Sequence, residues 1–270
     1  MRGLSKERAL QSLRARIEDI EKHPALRDFA GPTAAGNLFA VPQGVLHEVF
    51  VDAGRESGAG FGFSLGLTRP LLGPLRPALL LLQLAHKAQD LGVPYPAGLL
   101  GLGIEPHQIV YGQMDSATDL LWAIEEAVGC PAVAAVIADT GAETQAFDFT
   151  ASRRLSLRSA AGGSSVFLLR TGSGREASAA RFRWRITPQP SVAPPFDARA
   201  PGLPSWKIEL EKGRLGSRRD PREWLVDWTE NGFAVVAPKR AMGASPAAAA
   251  RTPLSGALSA ALGDRLSQTG

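Results

Sequence analysis

The stretch Val45-Leu-His-Glu-Val-Phe-Val-Asp-Ala-Gly-Arg-Glu-Ser-Gly-Ala-Gly-Phe-Gly62 decides how this chain is read. Its first seven residues are mostly apolar and β-branched, as a buried strand requires. From Asp52 the run turns glycine-rich, and a helix is expected over residues 61–68. Strand, glycine-rich loop and helix together form the layout that holds phosphate. In that chemistry backbone N–H groups cradle the anion, a lysine reaches the β/γ-phosphates and a Ser/Thr hydroxyl binds magnesium. Laid over GxxxxGK[ST] from Gly54, the stretch has Ala59 at the second glycine, Gly60 at the lysine and Phe61 at the hydroxyl. No lysine lies between Gly54 and Gly66, so no shift of register restores the charge. Gly54, Gly58 and Gly60 can still bend the backbone into an anion nest, but for a glycine-rich loop taken alone an ordinary turn is the favoured reading. With point charge and metal ligand both missing, hydrolysis is not expected. His47 and Glu48 are consecutive in a strand, point to opposite faces and cannot act as a pair.

Residues 78–83 are a continuous apolar run, the pattern of a strand covered on both faces. Residues 108–111 read as a third strand. Ser116 reads as an N-cap with Asp119 as its capping partner, ahead of Leu120, Leu121, Ile124 and Val128 on one helical face. Residues 132–138 form another buried strand ending at Asp139. That aspartate has the place of a metal-organising carboxylate, but capping of the next turn is the favoured reading. A helix over 145–160 leads to a strand over 165–170. Apolar strands alternating with helices predict a mostly parallel, doubly wound sheet. Beyond Gly174 the pattern changes. Phe182, Trp184 and Ile186 alternate with Arg181, Arg183 and Arg185; Trp206, Ile208 and Leu210 alternate with charged residues, and Trp224, Val226 and Trp228 repeat the pattern. Strands with one apolar face and no intervening helix predict an antiparallel extension.

A chain of 270 residues with 44% hydrophobic content can bury one large core. The expected organisation is an N-terminal helix and linker over 1–44, a core over 45–237 and a low-complexity, disordered tail over 238–270 with a short helix inside it. In the first helix Leu10, Leu13, Ile17 and Ile20 make a narrow apolar seam, and in the tail Leu254, Leu258, Leu262 and Leu266 recur every four residues. Both stripes suit a protein partner. Residues 1–11 carry no apolar run, no stretch is long enough to span a membrane, and Cys130 is alone, so a cytoplasmic protein is expected.

Charge is unevenly distributed. Residues 1–150 carry 11 Lys/Arg against 17 Asp/Glu, whereas residues 151–222 carry 15 against 5. The basic segment suggests a face for an acidic partner such as DNA, with Arg181, Arg183 and Arg185 placed to meet phosphates. His23, His47, His86 and His107 show no ligand spacing, and Glu125 and Glu126 read as solvated. No catalytic constellation, metal site or cofactor is expected.

The degenerate loop, the strand order and the late alternating strands resemble RecA over roughly residues 45–230. They are more similar to the ImuA family. The matching stretches are Gly44-Val-Leu-His-Glu-Val49, residues 58–67, Pro94-Tyr-Pro-Ala-Gly-Leu99, Asp119-Leu-Leu-Trp-Ala-Ile-Glu-Glu126, and Arg181-Phe-Arg-Trp-Arg-Ile186 leading through a proline-rich crossing to Trp206. The resemblance implies a non-catalytic role in the SOS response. Family partners would be an ImuB-like Y-family polymerase homologue, an error-prone C-family DNA polymerase and RecA. A DNA-dependent RecA-like NTPase and a SulA-type division inhibitor are the alternatives.

Overall fold

In a computed structural model of the chain, the described residues are 39–142, 145–172, 174–194, 197, 199–215 and 221–236. They build one nine-stranded sheet in the order β3-β2-β4-β5-β1-β6-β7-β8-β9. The strands are β1 Leu46–Val51, β2 Ala78–Leu84, β3 Ile109–Met114, β4 Val133–Gly141, β5 Ser165–Thr171, β6 Phe182–Gln189, β7 Ser205–Lys212, β8 Glu223–Thr229 and β9 Gly232–Val236. Helices are α1 Ser57–Thr68, α2 Ala85–Leu91, α3 Pro96–Leu100, α4 Ala117–Ala127 and α5 Phe149–Gly162. This is the RecA-like α/β architecture.

Strands β3, β2, β4, β5, β1 and β6 are all parallel, and β7, β8 and β9 continue antiparallel. The arginine-bearing strand β6 therefore corrects the sequence reading: it lies parallel to β1 and the antiparallel extension begins one strand later. From β5 the chain passes over β1 to its far side without a helix, so absence of a helix does not by itself signal a reversal. Strands β4, β5 and β1 are buried on both faces, β1 at every position. Strands β6, β7 and β8 bury alternate residues, as their period of two requires.

One core packs α1, Phe39 and the segment carrying Leu99, Leu102 and Ile104 against the sheet, together with Trp184, Trp206, Trp224 and Trp228. The opposite face is covered by α4 and α5 through Leu120, Leu121, Ile124 and Leu155. Helix α4 starts where expected: the Asp119 N–H donates to Ser116 Oγ at 3.1 Å, and the Ser116 hydroxyl donates to Asp119 Oδ2 at 2.6 Å. Helix α5 begins at Phe149 rather than Gln145, because Asp148 takes the Ala151 N–H at 2.7 Å and so caps the helix there. Helices α2 and α3 and strand β9 are additions to the sequence reading, each too short to impose a period.

Candidate functional site

In the glycine-rich run after β1, a 3₁₀ turn over Gly54–Glu56 follows at once, and α1 is already helical from Ser57, four residues before the expected start. The N–H groups of Glu56 and Ser57 bond the carbonyls of Ala53 and Gly54. None of Gly54, Gly58, Gly60 and Gly62 has a positive φ. No nest of alternating right- and left-handed backbone is formed there; the run takes the ordinary turn that the sequence favours. The glycines serve packing instead. A Cβ on Gly62 would stand 3.3 Å from Trp206, and one on Gly66 would stand 2.4 Å from Phe233 and 2.7 Å from Trp228. Removing side chains at these positions lets α1 lie close against the aromatic strands.

This conformation gives a direct prediction. Gly58 is exposed, has no positive φ, and a Cβ there would meet nothing within 4 Å. Gly58→Ala should therefore raise unfolding free energy by roughly 0.5–1 kcal/mol in urea denaturation, through helix propensity and lost unfolded-state entropy. A loop that wraps phosphate through Gly58 would lose stability on the same change.

Beyond the carboxyl ends of β2 and β4 lies a cavity of about 290 Å³ beside the start of α1. Arg55, Ser57, Gly58 and Phe61 line one side, Leu81, Leu82, Gln83, Ile137, Asp139 and Leu169 come from the strand ends, and Leu91 to Pro94 with Tyr111 complete it. Its walls are mainly apolar. The Tyr111 hydroxyl donates to Gln83 Oε1 at 3.0 Å and accepts from Gln113 Nε2 at 2.8 Å. Asp139 Oδ1 accepts the Gly141 N–H at 3.0 Å, so Asp139 does cap the turn. Burial pushes its carboxyl above the ordinary range, opposed by that N–H and by Lys87 and His86. No carboxylate stands at the end of β2 to orient a water. Among the described residues, no group of three or more His, Cys, Asp or Glu side chains is arranged to hold a metal ion.

The even-numbered face of β1 carries a second polar cluster. Glu48 is 1% exposed and accepts from Arg170 at 3.1 Å, from Arg183 at 2.8 Å and from the Ser178 hydroxyl at 2.7 Å. The guanidinium of Arg175 lies 3.9 Å from the Phe50 ring centre, and those of Arg170 and Arg183 are within 6 Å. Arg175 pairs in turn with both carboxylate oxygens of Glu211. Arg185 pairs with Asp52 at 2.6 Å, and that guanidinium draws the Asp52 carboxyl below its usual range. The structure thus separates the arginines that the sequence groups together. Arg183 holds the buried Glu48 and Arg185 holds the exposed Asp52, so a phosphate contact from either competes with an ion pair. Arg181 sits half-buried ahead of β6, its backbone N–H donating to the Leu46 carbonyl.

His47, on the odd face of β1, is fully buried, with Phe167 and Phe182 stacked at 4.3 and 5.1 Å. Its Nδ1 accepts from Trp184 Nε1 at 3.2 Å, while its Nε2 has no partner. Burial pushes its pKa down to about 3. His86 and His107 are exposed. Glu125 corrects the sequence reading: it is buried between α4 and α5 and paired with Arg154 and Arg158, while its neighbour Glu126 is exposed. The seam Leu10, Leu13, Ile17, Ile20 and the stripe Leu254, Leu258, Leu262, Leu266 lie outside the described residues, as do His23 and the expected disordered tail. Among the described residues no helix is long and apolar enough to cross a membrane.

No family model matches the chain. It is 34% identical over 203 residues to Protein ImuA of Caulobacter vibrioides, in each of two strains, an alignment that covers 71% of this chain and 78% of the relative.

Proposed function

Because the chain belongs to the ImuA family, we propose that it is a non-catalytic accessory protein of damage-induced (SOS) mutagenesis, built on a RecA-like scaffold. The observation that carries the non-catalytic part is the backbone over residues 52–62. The stretch that would wrap phosphate is turn and helix, with no left-handed glycine and with Gly60 and Phe61 where lysine and hydroxyl would act. Restoring a lysine alone would not restore the cradle, because the cradle is a backbone conformation.

In this reading the protein works by holding partners together: an ImuB-like Y-family polymerase homologue directly, an error-prone C-family polymerase through it, and RecA. The surfaces proposed for this are the seam Leu10, Leu13, Ile17, Ile20 and the stripe Leu254, Leu258, Leu262, Leu266. A stripe on so short a segment cannot hold a helix alone, since nucleation is costly below about 12–15 residues, and a partner's groove would supply the missing burial. DNA contact through Arg181, Arg183 and Arg185 belongs to the same proposal, on condition that phosphate replaces Glu48 and Asp52.

Two measurements test the reading. The purified chain should release no phosphate from magnesium-ATP above background. Clear turnover abolished by Gly54→Asp would refute the non-catalytic assignment. Deleting residues 244–270 should leave the melting temperature unchanged while weakening capture of the ImuB-like partner at least several-fold. A truncated chain that melts much lower would assign the stripe to the core instead.

A further inference from the structure

The sheet reverses its winding between two neighbouring strands. The chain leaves β2 over the face that carries α1, packing Leu99 and Ile104 there, and leaves β4 over the opposite face, into α5. Adjacent strands whose connections depart to opposite faces open a crevice beyond their carboxyl ends, where open α/β sheets bind ligands. In this protein that crevice is the cavity beside Asp139.

We propose that this cavity is a binding site for a small, uncharged, mainly apolar molecule with one N–H donor and one acceptor, such as a carboxamide or an amide-like heterocycle. Phe61, Leu81, Leu82 and Ile137 wall it, and at its mouth Leu91 and Val93 stand 46% and 58% exposed, apolar area that a ligand would cover. Gln83 and Tyr111 are bonded to each other and offer little to a ligand. Besides the Ser57 hydroxyl, which can donate or accept, two lining groups have capacity to spare among the described residues. Asp139 spends one oxygen on Gly141 and has no partner for the other, and Arg55 makes no ion pair or hydrogen bond. One asks for a donor and the other for an acceptor. An anion would face Asp139 without a nest of N–H groups. A cation would face Arg55 and the Lys87 charge that already acts on Asp139. A neutral group with both functions meets neither penalty.

The test uses the full chain and three probes that share a ring and differ in charge: benzamide, benzamidine and benzoate, titrated by ligand-observed NMR. Benzamide should bind, and the two ions should bind about tenfold more weakly or worse. Asp139→Asn keeps an oxygen for the Gly141 N–H but can place a donor where the ligand donates, so it should weaken benzamide about ten- to hundredfold. Gly58→Leu adds a side chain to the cavity wall where a Cβ meets nothing, and should block the probe while helix α1 is retained. It decides the matter if the asparagine variant does not fold. Benzoate binding as well as benzamide, no binding of any probe, or binding indifferent to both substitutions would overturn the proposal. None of these outcomes bears on the accessory role, which phosphate release and partner capture test separately.

Discussion

Truncating Glu48 to alanine is expected to cost about 3–5 kcal/mol of unfolding free energy, the range for removing one partner of a buried ion pair. The magnitude comes from what is left behind. Arg170 is 5% exposed and the Arg183 side chain 12%, and both depend on the one carboxylate. Without it two guanidinium groups remain side by side, next to Arg175 on the same phenylalanine ring. Lys212 gives an independent sign of the crowding: burial and the neighbouring Arg183 lower its pKa, and Glu48 acts in the other direction. Urea denaturation at neutral pH measures the loss. Removing Arg183 together with Glu48 should return part of it, since one stranded charge is then gone. A loss below about 1 kcal/mol for Glu48→Ala would show that the carboxylate does not hold the cluster as described.

Acidification gives the second large effect. His47 titrates near 3 in the folded chain because burial between Phe167 and Phe182 disfavours the imidazolium. In the unfolded chain its ordinary value is 6.5. Between these values the unfolded state binds the extra proton, so stability is fully present above about pH 6.5 and falls as pH drops toward 3. The loss is about 1.4 kcal/mol per pH unit below the unfolded value, or roughly 2 kcal/mol at pH 5. His47→Phe keeps the stack and removes the titration, so its stability should be nearly flat between about pH 7 and 5 relative to wild type. Paired denaturation curves at the two pH values read the difference, which cancels what other groups contribute. Equal pH dependence in the two proteins would mean that His47 is hydrated and protonates in place. At neutral pH the variant should still be less stable than its packing suggests, because Trp184 Nε1 loses its acceptor.

The site divides in the same way between legible and hidden parts. Absence of a lysine and a hydroxyl from the glycine-rich run is a fact of composition and needs no coordinates. The conformation of that run is not, because glycine permits either a nest or a helix, and the choice belongs to whatever packs against it. The cavity brings together Arg55, Gln83, Val93, Tyr111 and Asp139 from five separate segments; the glycine-rich run around Arg55 and the strand-end place of Asp139 carry a local signal, and Gln83, Val93 and Tyr111 carry none. Glu125 was legible as a residue beside an apolar helical face. That it turns inward depends on Arg154 and Arg158, which lie on the next helix.

The strands of the parallel core, the alternating aromatic strands that follow them and the cap at Ser116 are all legible in the chain's own residues. Each of these is carried by chain neighbours: a run that is apolar on both faces, a period of two, a hydroxyl beside an open helix turn. Packing in the folded chain sets that β6 joins β1 in parallel and that α1 begins at Ser57, where absent side chains at Gly62 and Gly66 admit Trp206, Trp228 and Phe233. The same packing sets Glu48 against arginines 122 and 135 residues away. Pairing at that separation follows from the register of strands in the sheet. A single strand's residues state what it can bury, and only the assembled sheet states against what.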